Sequence, residues 1–327
     1  MKKWELEFYY SPLTKGALSS YGSKNEYYLQ DDEKNKFFIS NDIIDFRNQY
    51  YSQSVNEVQQ FYDNRSDAYD KYLPLTFLTH DENEYKSRSY FIDHLNLKKN
   101  SNVLEIASGS GRDSEIIADR LSNEGSLFLY DISPEMTKRA KNKLKDKDCK
   151  ISYSLGDASI LPFKNNVFDA VYSFGGLGEF DDIKKSLKEM VRVCKSGGKI
   201  VVGDESMPVW LRDTYFAKVL TETNKQFLED LPLKNIPIEA RKVRVQWVIG
   251  GVFYLIDFVV GEGEPKANYD FNIPGERGGT LRTRYEGKLE GVSPSTKEMV
   301  LSKARKEGLS VHEWLEKVIN NYVKNKS

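Results

Sequence analysis

The sequence predicts an α/β fold with a largely parallel, helix-covered sheet, and three observations predict it. Short, nearly continuous apolar runs alternate with segments of helical spacing, as strands buried on both faces alternate with the helices that cover them. The first such run, Val103 to Ile106, stops in a loop with two glycines, Gly109 and Gly111, and a helical pattern follows at once. Two later runs, LFLYD and ISYSLGD, end on aspartates, Asp131 and Asp157. A strand that stops in a glycine loop before a helix is the arrangement that binds nucleotide-type ligands, because backbone N–H groups and the helix N-terminus face the ligand.

Within VLEIASGSG the one polar strand residue is Glu105, whose carboxylate needs hydrogen-bond donors to be tolerated there. Gly109 and Gly111 leave the backbone free to approach a ligand closely. The helix expected next, RDSEIIADRLSNEG, repeats Ile116, Ile117, Ala118 and Leu121 and ends near Gly125. A dinucleotide fingerprint would place a third glycine where Ser114 stands, so the loop alone leaves two cofactor classes open. Asp131 lies about twenty residues beyond the loop, where a carboxylate's two oxygens match a ribose diol. SPEMTKRAKNKLK then opens with Ser133 as N-cap, Pro134 in the first turn and Glu135 beside it. FDAVYSFGG forms a fourth strand, and DDIKKSLKEMVRVCKSGGKIVVGDE a capped helix, a Gly-Gly turn and a fifth strand. RKVRVQWVIGGVFYLIDFVVGE reads as two long β runs meeting at Gly250 and Gly251.

The acid, Ala107, the two glycines, DISPEM, Gly156-Asp157-Ala158 and the VCKSGG turn together resemble class I S-adenosylmethionine-dependent methyltransferases. The core is nearest to the group that includes the ubiquinone and menaquinone biosynthesis methyltransferases. The resemblance implies a Rossmann-like seven-stranded methyltransferase sheet with a terminal antiparallel pair, and S-adenosylmethionine as cofactor. It implies that Glu105, Ala107, Gly109 and Gly111 form the cofactor loop, with Ala107 in place of the family's first glycine. It places the ribose hydroxyls on Asp131 with Ile132 beside it, and adenine on Asp157 and the amide of Ala158. Ser173 and Phe174 fall where the methyl group should emerge. The Tyr-Asp-containing helix ahead of the core resembles the family's lid, which makes Tyr62 and Tyr69 cofactor contacts. Packing of these tyrosines against the sheet is the alternative for each taken singly.

Length and composition bound the rest. The 327 residues suit one large core with appendages, divided as 1–53, 54–262 and 263–327. Lys and Arg number 48 against 49 Asp and Glu, so bulk charge does not call for a nucleic-acid partner. Two distant cysteines, Cys149 and Cys194, make neither a disulfide framework nor a zinc site, and no metal is expected. With no signal peptide or long apolar span, a cytoplasmic protein without membrane contact is expected.

The first segment, with WELEFYYSPLTKG, EYYLQD and KFFISNDIIDF, reads as a small β-rich unit. It resembles the zinc-ribbon activator domain of tRNA and protein methyltransferases, with Ser11-Pro12-Leu13-Thr14 where the cysteine knuckle stands, so the resemblance implies a metal-free version. An unrelated β cap is the alternative. In the last segment LRTRYEGKL reads as a strand, followed by helices capped by Ser293 or Ser295 and entered through Gly308 and Ser310. Strand, helix and helix resemble the ribbon-helix-helix fold of dimeric repressors, which implies a homodimer through the tail. Arg282, Arg284 and Lys288 would lie on one side of that strand, but nearby acids make a dimerising or substrate-covering tail the favoured reading over DNA binding.

The chemistry expected is attack on an activated methyl, for which the protein aligns the acceptor and takes its proton. Glu179, Asp204, Glu205 and His80 are the candidate bases, with helix capping or solvation as the plain alternatives. His94 and His312 carry no catalytic role. No Asn-Pro-Pro-Tyr or Asp-Pro-Pro-Tyr follows the fourth strand, and no Pro-Cys pair is present. The expected function is methyl transfer to a small molecule. RNA or protein as acceptor, and a non-catalytic regulator with a DNA-binding tail, are the alternatives. An enclosed apolar pocket favours the first and an open basic groove the second.

Overall fold

Eleven strands form a single sheet in a computed structural model that describes residues 4–23, 26–47, 53–286 and 292–325. An antiparallel meander comes first: β1 (Ser19–Ser23), β2 (Glu26–Gln30), β3 (Lys36–Ser40) and β4 (Ile43–Asp45). Three helices follow, α1 (Gln53–Tyr72), α2 (Pro74–Leu78) and α3 (Glu84–Asp93), with Pro74 at the start of α2, where its missing N–H costs nothing. The core then alternates β5 (Asn102–Ile106), α4 (Arg112–Arg120), β6 (Ser126–Asp131), α5 (Pro134–Lys143), β7 (Lys150–Leu155), β8 (Phe168–Phe174), α6 (Ile183–Val193) and β9 (Cys194–Glu205). Helix α7 (Tyr215–Thr221) and the antiparallel pair β10 (Ala240–Val248) and β11 (Phe253–Val260) complete the sheet.

The strand order is β1-β2-β3-β4-β7-β6-β5-β8-β9-β11-β10. The antiparallel pair lies at one edge, and in place of the seven strands expected the sheet has eleven. The sheet is larger than expected because the N-terminal meander joins it: β4 pairs in parallel with β7, Ile43 opposite Tyr153 and Asp45 opposite Leu155. Without β4 the ladder groups of β7 would be open. Tyr9 fixes the meander to the core. It is 1% exposed, bridges Phe163, stacks on it at 4.8 Å and bonds its hydroxyl to Ser152 at 2.9 Å. The knuckle-like turn closes on a carboxylate: Ser11 Oγ donates to Asp31 at 2.6 Å, Thr14 Oγ1 donates to Asp32 at 3.0 Å, and Ser11 Oγ accepts the N–H groups of Leu13 and Thr14.

Local chemistry sets the element ends. Ser133 caps α5 by accepting the Met136 N–H at 3.1 Å, and Asp182 caps α6 through Lys185 N–H. Two buried clusters, one on each face, sandwich the sheet, and Cys194 belongs to one of them with its thiol pushed up to about 12 by burial.

The chain forms two compact units, Met1–Glu264 and Pro265–Ser327. In the second, residues 281–286 are a helix, α8 (Leu281–Glu286), where a strand was expected. Thr280 begins it: its carbonyl accepts the Arg284 N–H and its hydroxyl the Thr283 N–H, the helical alternative to extended pairing. Arg282 binds Asp270 at 2.7 Å and Arg284 binds the Gly278 carbonyl, so neither forms part of a strand face; Lys288 lies outside the described residues. Helices α9 (Pro294–Lys306) and α10 (Val311–Lys324) follow, capped by Ser293 and by a Ser310–Glu313 capping box. Among the described residues no helix is long and apolar enough to cross a membrane.

Candidate active site

A cavity of about 400 Å³ lies over the C-terminal ends of β5 to β9, where open parallel sheets bind ligands. Its floor is the loop after β5. Gly109 has φ +52°, and a Cβ placed there would meet nothing within 4 Å, so the backbone faces open space. Gly111, at φ +82°, serves another purpose. A Cβ there would come within 2.9 Å of Ala140, so this glycine lets α4 pack on α5 and does not line the cavity. Ala107 lines it at φ +54°, a left-handed conformation in which a Cβ is crowded. Ser108 Oγ is buried at the same wall with no hydrogen-bond partner among the described residues, a donor available to a ligand.

Asp131 ends β6 and is buried on the cavity wall. Its Oδ2 accepts the Gly109 N–H at 2.7 Å and its Oδ1 the Ser133 N–H at 2.9 Å, so it ties the glycine loop to the start of α5. Burial raises its pKa despite these donors. Ile132 and Ala158 line the cavity beside it, as does Asp157, whose oxygens accept the Ser159 N–H and hydroxyl at 2.9 and 2.6 Å. Glu105 sits behind the loop, out of the cavity. Ser114 Oγ donates to it at 2.5 Å, and burial with Asp113 nearby holds its pKa well above the usual carboxylate range. Its role in this structure is to hold α4 against β5.

Helix α1 covers the cavity with Tyr62 and Tyr69, whose rings meet edge-on at 5.8 Å. Burial raises both phenols, Tyr69 to about 12. Only Val55 and Ser66 of the helix are fully buried, Tyr62 and Tyr69 are half-buried, and the helix is held by three acids spaced four and three apart on one face. Asp63 accepts from Ser133 Oγ at 2.5 Å, Asp67 pairs with Arg139, and Asp70 accepts from Ser110 Oγ and from Arg112 at 3.1 Å.

The far end of the cavity is formed by the ends of β8 and β9. Phe174 stacks between Phe91 at 4.7 Å and Phe253 at 5.6 Å, and lines the cavity. Ser173 does not, because the alternation of β8 turns it to the opposite face, where it is fully buried. Glu179, Asp204 and Glu205 do line it. Asp204 accepts the Gly178 N–H at 2.5 Å and the Glu205 N–H at 2.8 Å, and Glu205 accepts from Asn224 at 2.7 Å. Burial pushes Asp204 up to about 6 and Glu205 to about 7. His80 stands outside the cavity, its ring 5.9 Å from Phe216 and close under Gly250, and burial lowers its pKa. That packing, enforced by a glycine with no room for a Cβ, removes it from the candidate bases.

Sequence reasoning missed Arg88, Arg112, Asn224 and Gln226. Arg88 and Arg112 line the cavity while paired with Glu84, Asp113 and Asp70. An α1 rich in acids ahead of a helix that opens on an arginine was the available signal for Arg112. Asn224 and Gln226 lie in a short 3-10 turn with no periodicity to mark them.

A glycine loop after β5, an acid closing β6, a covering helix and a sheet ending in an antiparallel pair define a class I methyltransferase, whose methyl donor is S-adenosylmethionine. The ubiE/COQ5 methyltransferase family model matches residues 48–229, more than half of the chain, and the chain belongs to that family. Ubiquinone/menaquinone biosynthesis C-methyltransferase UbiE of Idiomarina loihiensis is 35% identical over 124 residues, 37% of this chain and 49% of the relative. Its counterpart from Legionella pneumophila strain Corby is 31% identical over 150 residues, 44% and 60% of the two chains. The chain thus spans roughly half the length of these curated relatives. Among solved structures, Haemonchus contortus phosphoethanolamine N-methyltransferase 2 with S-adenosyl-L-methionine aligns at TM-score 0.49 and 14% identity, covering 65% of this chain and 61% of that one. A chain from the Haloferax volcanii complex of the Trm112 activator with a methyltransferase aligns at 0.45 and 16%, covering 62% and 98%.

Proposed function

We propose that this chain transfers a methyl group from S-adenosylmethionine to a small-molecule acceptor. The observation that carries the reading is a covered cavity running from Gly109 and Asp131 to the carboxylates at the ends of β8 and β9. The residues fit the cofactor: Gly109 offers open backbone, Ser108 an unused hydroxyl, Asp131 a buried carboxylate. When bound, S-adenosylmethionine supplies a methyl group activated by its sulfonium. Asp131 holds the ribose end and keeps the loop in register, Asp157 and Ala158 border the base, and Tyr62 and Tyr69 exclude water from above. Both arginines of the wall are paired with acids, which supports a small molecule over a nucleic-acid strand.

For the flanks, we read the Ser11–Thr14 turn with Asp31 and Asp32 as the metal-free counterpart of a zinc knuckle. We read the second compact unit as a self-associating tail, acting through its helices. The test of the central reading is calorimetry with S-adenosylhomocysteine. Wild type should bind, and Asp131→Ala should lose affinity by at least tenfold, about 1.4 kcal/mol. Unchanged affinity would remove Asp131 from the site.

A further inference from the structure

Glu179, Asp204 and Glu205 line the acceptor half of the cavity, and no lysine or arginine pairs with them among the described residues. Two carboxamides hold two of these acids by one oxygen each. Asn224 Nδ2 donates to Glu205 Oε2 at 2.7 Å and Gln226 Nε2 donates to Glu179 Oε1 at 2.9 Å, while Asn224 Oδ1 accepts the Gln226 N–H at 2.9 Å and fixes the turn that carries both. Asp204 has both oxygens on backbone N–H groups, those of Gly178 and Glu205. Among the described residues, Oε1 of Glu205 and Oε2 of Glu179 are thus the oxygens of these three acids that are left to meet an acceptor. The remaining wall is aromatic, with Phe61, Tyr62, Phe174, Phe180 and Phe253.

How many protons the protein must take depends on the atom that receives the methyl group. Transfer to a hydroxyl oxygen or to an amine nitrogen calls for one proton acceptor. Transfer to a ring carbon beside a hydroxyl calls for two in turn: the hydroxyl proton leaves so that the carbon can attack, and the hydrogen on that carbon leaves so that the ring can re-form. Two carboxylates, each held by one oxygen and open at the other, match the second case. Three acids without a cation repel a ready-made phenolate, so such an acceptor enters neutral and donates its O–H to a carboxylate. Burial has lifted Glu205 to about 7, which brings it nearer to a phenol's ordinary value of about 10 and suits it to that proton. The ring-lined wall fits a flat aromatic body.

We propose, resting on the methyltransferase reading above, that Glu205 and Glu179 divide the two protons of a methylation at carbon, Glu205 taking the hydroxyl proton of a neutral hydroxyarene and Glu179 the hydrogen of the carbon that is methylated. In the first step the hydroxyl proton passes to Glu205 Oε1 and the oxygen becomes a carbonyl. The ring carbon beside it forms the new C–C bond as the methyl C–S bond breaks, its electron pair staying on sulfur. The product of this step is a neutral dienone whose methylated carbon still bears its hydrogen. In the second step that hydrogen passes as a proton to Glu179 Oε2, its electron pair restores the ring, and the carbonyl oxygen takes back the proton from Glu205. One proton remains on Glu179 and leaves to solvent, which balances the charge lost from sulfur.

The experiment supplies the full chain with methyl-labelled S-adenosylmethionine and, in turn, 2-naphthol, 2-methoxynaphthalene and 2-(aminomethyl)naphthalene. Label should appear on carbon 1 of 2-naphthol and on neither of the others. Glu205→Gln, which retains an acceptor for Asn224, should slow that transfer at least tenfold. Glu179→Gln, which retains one for Gln226, should delay the second step alone. With this variant 2-naphthol deuterated at carbon 1 should turn over at least about twofold more slowly than the undeuterated compound, a difference that the wild-type chain and Glu205→Gln should not show. Both variants should bind S-adenosylhomocysteine within about twofold of wild type by calorimetry, so that a slowed rate reports the proton and not the fold. Label on oxygen or on the amine nitrogen, no label on 2-naphthol, transfer unchanged in Glu205→Gln, or no isotope effect in Glu179→Gln overturns the division of protons. Failure of the wild-type chain to bind S-adenosylhomocysteine overturns the methyltransferase reading itself, and this assignment with it.

Discussion

At the scale of single residues, two positions carry strain in favour of the site. Ala107 holds φ +54° where glycine would be unstrained, because its backbone continues β5 into the loop: its N–H bonds the Tyr130 carbonyl at 2.8 Å. Relief of a left-handed alanine is worth roughly 1–2 kcal/mol, reduced by the roughly 0.4–1 kcal/mol of extra unfolded-chain freedom that glycine brings. Ala107→Gly should therefore raise stability by up to about 1.6 kcal/mol, read as a higher urea midpoint at unchanged slope. A lower midpoint would mean that the Cβ packs usefully near Gly176, where a side chain would come within 2.5 Å of it. Glu205 is strained electrostatically. Its folded pKa of about 7 lies above the usual 4.5, and that of Asp204, about 6, above 3.8. The folded state then binds more protons than the unfolded one between those values. The stability that these two groups contribute is fullest below about pH 4 and falls as pH rises to about 7. Glu205→Gln should flatten that fall and stabilise the cofactor-free protein at pH 8 by about 1–3 kcal/mol, while lowering transfer activity. A pH profile of melting temperature identical to wild type would show that Glu205 is solvated.

At the scale of elements, α1 is the cover whose docking is least secure. It fully buries two residues, so its hold on the core rests largely on Asp63 and Asp70, whose bonds contribute roughly 0.5–3 kcal/mol each, while the exposed Asp67–Arg139 pair adds roughly 0–1 kcal/mol. It should open locally in the free protein and close when the cavity is filled. Amide exchange across 55–72 should slow on adding S-adenosylhomocysteine, and Asp70→Ala, which releases the Ser110 hydroxyl and leaves the Arg112 side chain with Glu84, should abolish much of that slowing. Exchange as slow as that of β5 without ligand would contradict this. The strand-loop-helix succession was legible because each element wrote its own signal: apolar runs for buried strands, Ser133 and Asp182 for caps, Asp131 at a strand end. Signals carried by partners were not legible. Thr280 and Thr283 turned an alternating LRTRYE into helix, Gly250 drew His80 into packing, and Asn224 and Gln226 reached the site from a turn without period. Ser173 was missed by one step of strand alternation, the smallest error that moves a side chain to the other face.

At the scale of the whole molecule, the two ends of the chain are built into it differently. Residues 265–327 form their own compact unit, while β1 to β4 are strands of the catalytic sheet itself. Removing Pro265–Ser327 should leave a cooperative melt and S-adenosylhomocysteine affinity within about threefold of the full chain, since the described residues that line the cavity belong to the first unit. Removing residues 1–46 has the opposite expectation. It strips β4 from β7, opening ladder groups on a strand whose end carries Asp157, and it removes Tyr9 from Phe163 and the hydroxyls of Ser152 and Ser154. Loss of a buried tyrosine alone costs roughly 3–5 kcal/mol, a large share of the 5–15 kcal/mol that holds a domain. The shortened chain should lose its cooperative transition and its cofactor binding together. A milder variant separates the two effects: Tyr9→Phe keeps the ring stack and drops only the bonds to Ser152 and Ser154, so it should lower stability by about 1–2 kcal/mol and leave affinity unchanged. If the 1–46 deletion bound S-adenosylhomocysteine normally, the N-terminal strands would be an appendage to the rest of the sheet, and the pairing of β4 with β7 would have no part in shaping the β7 end of the cavity.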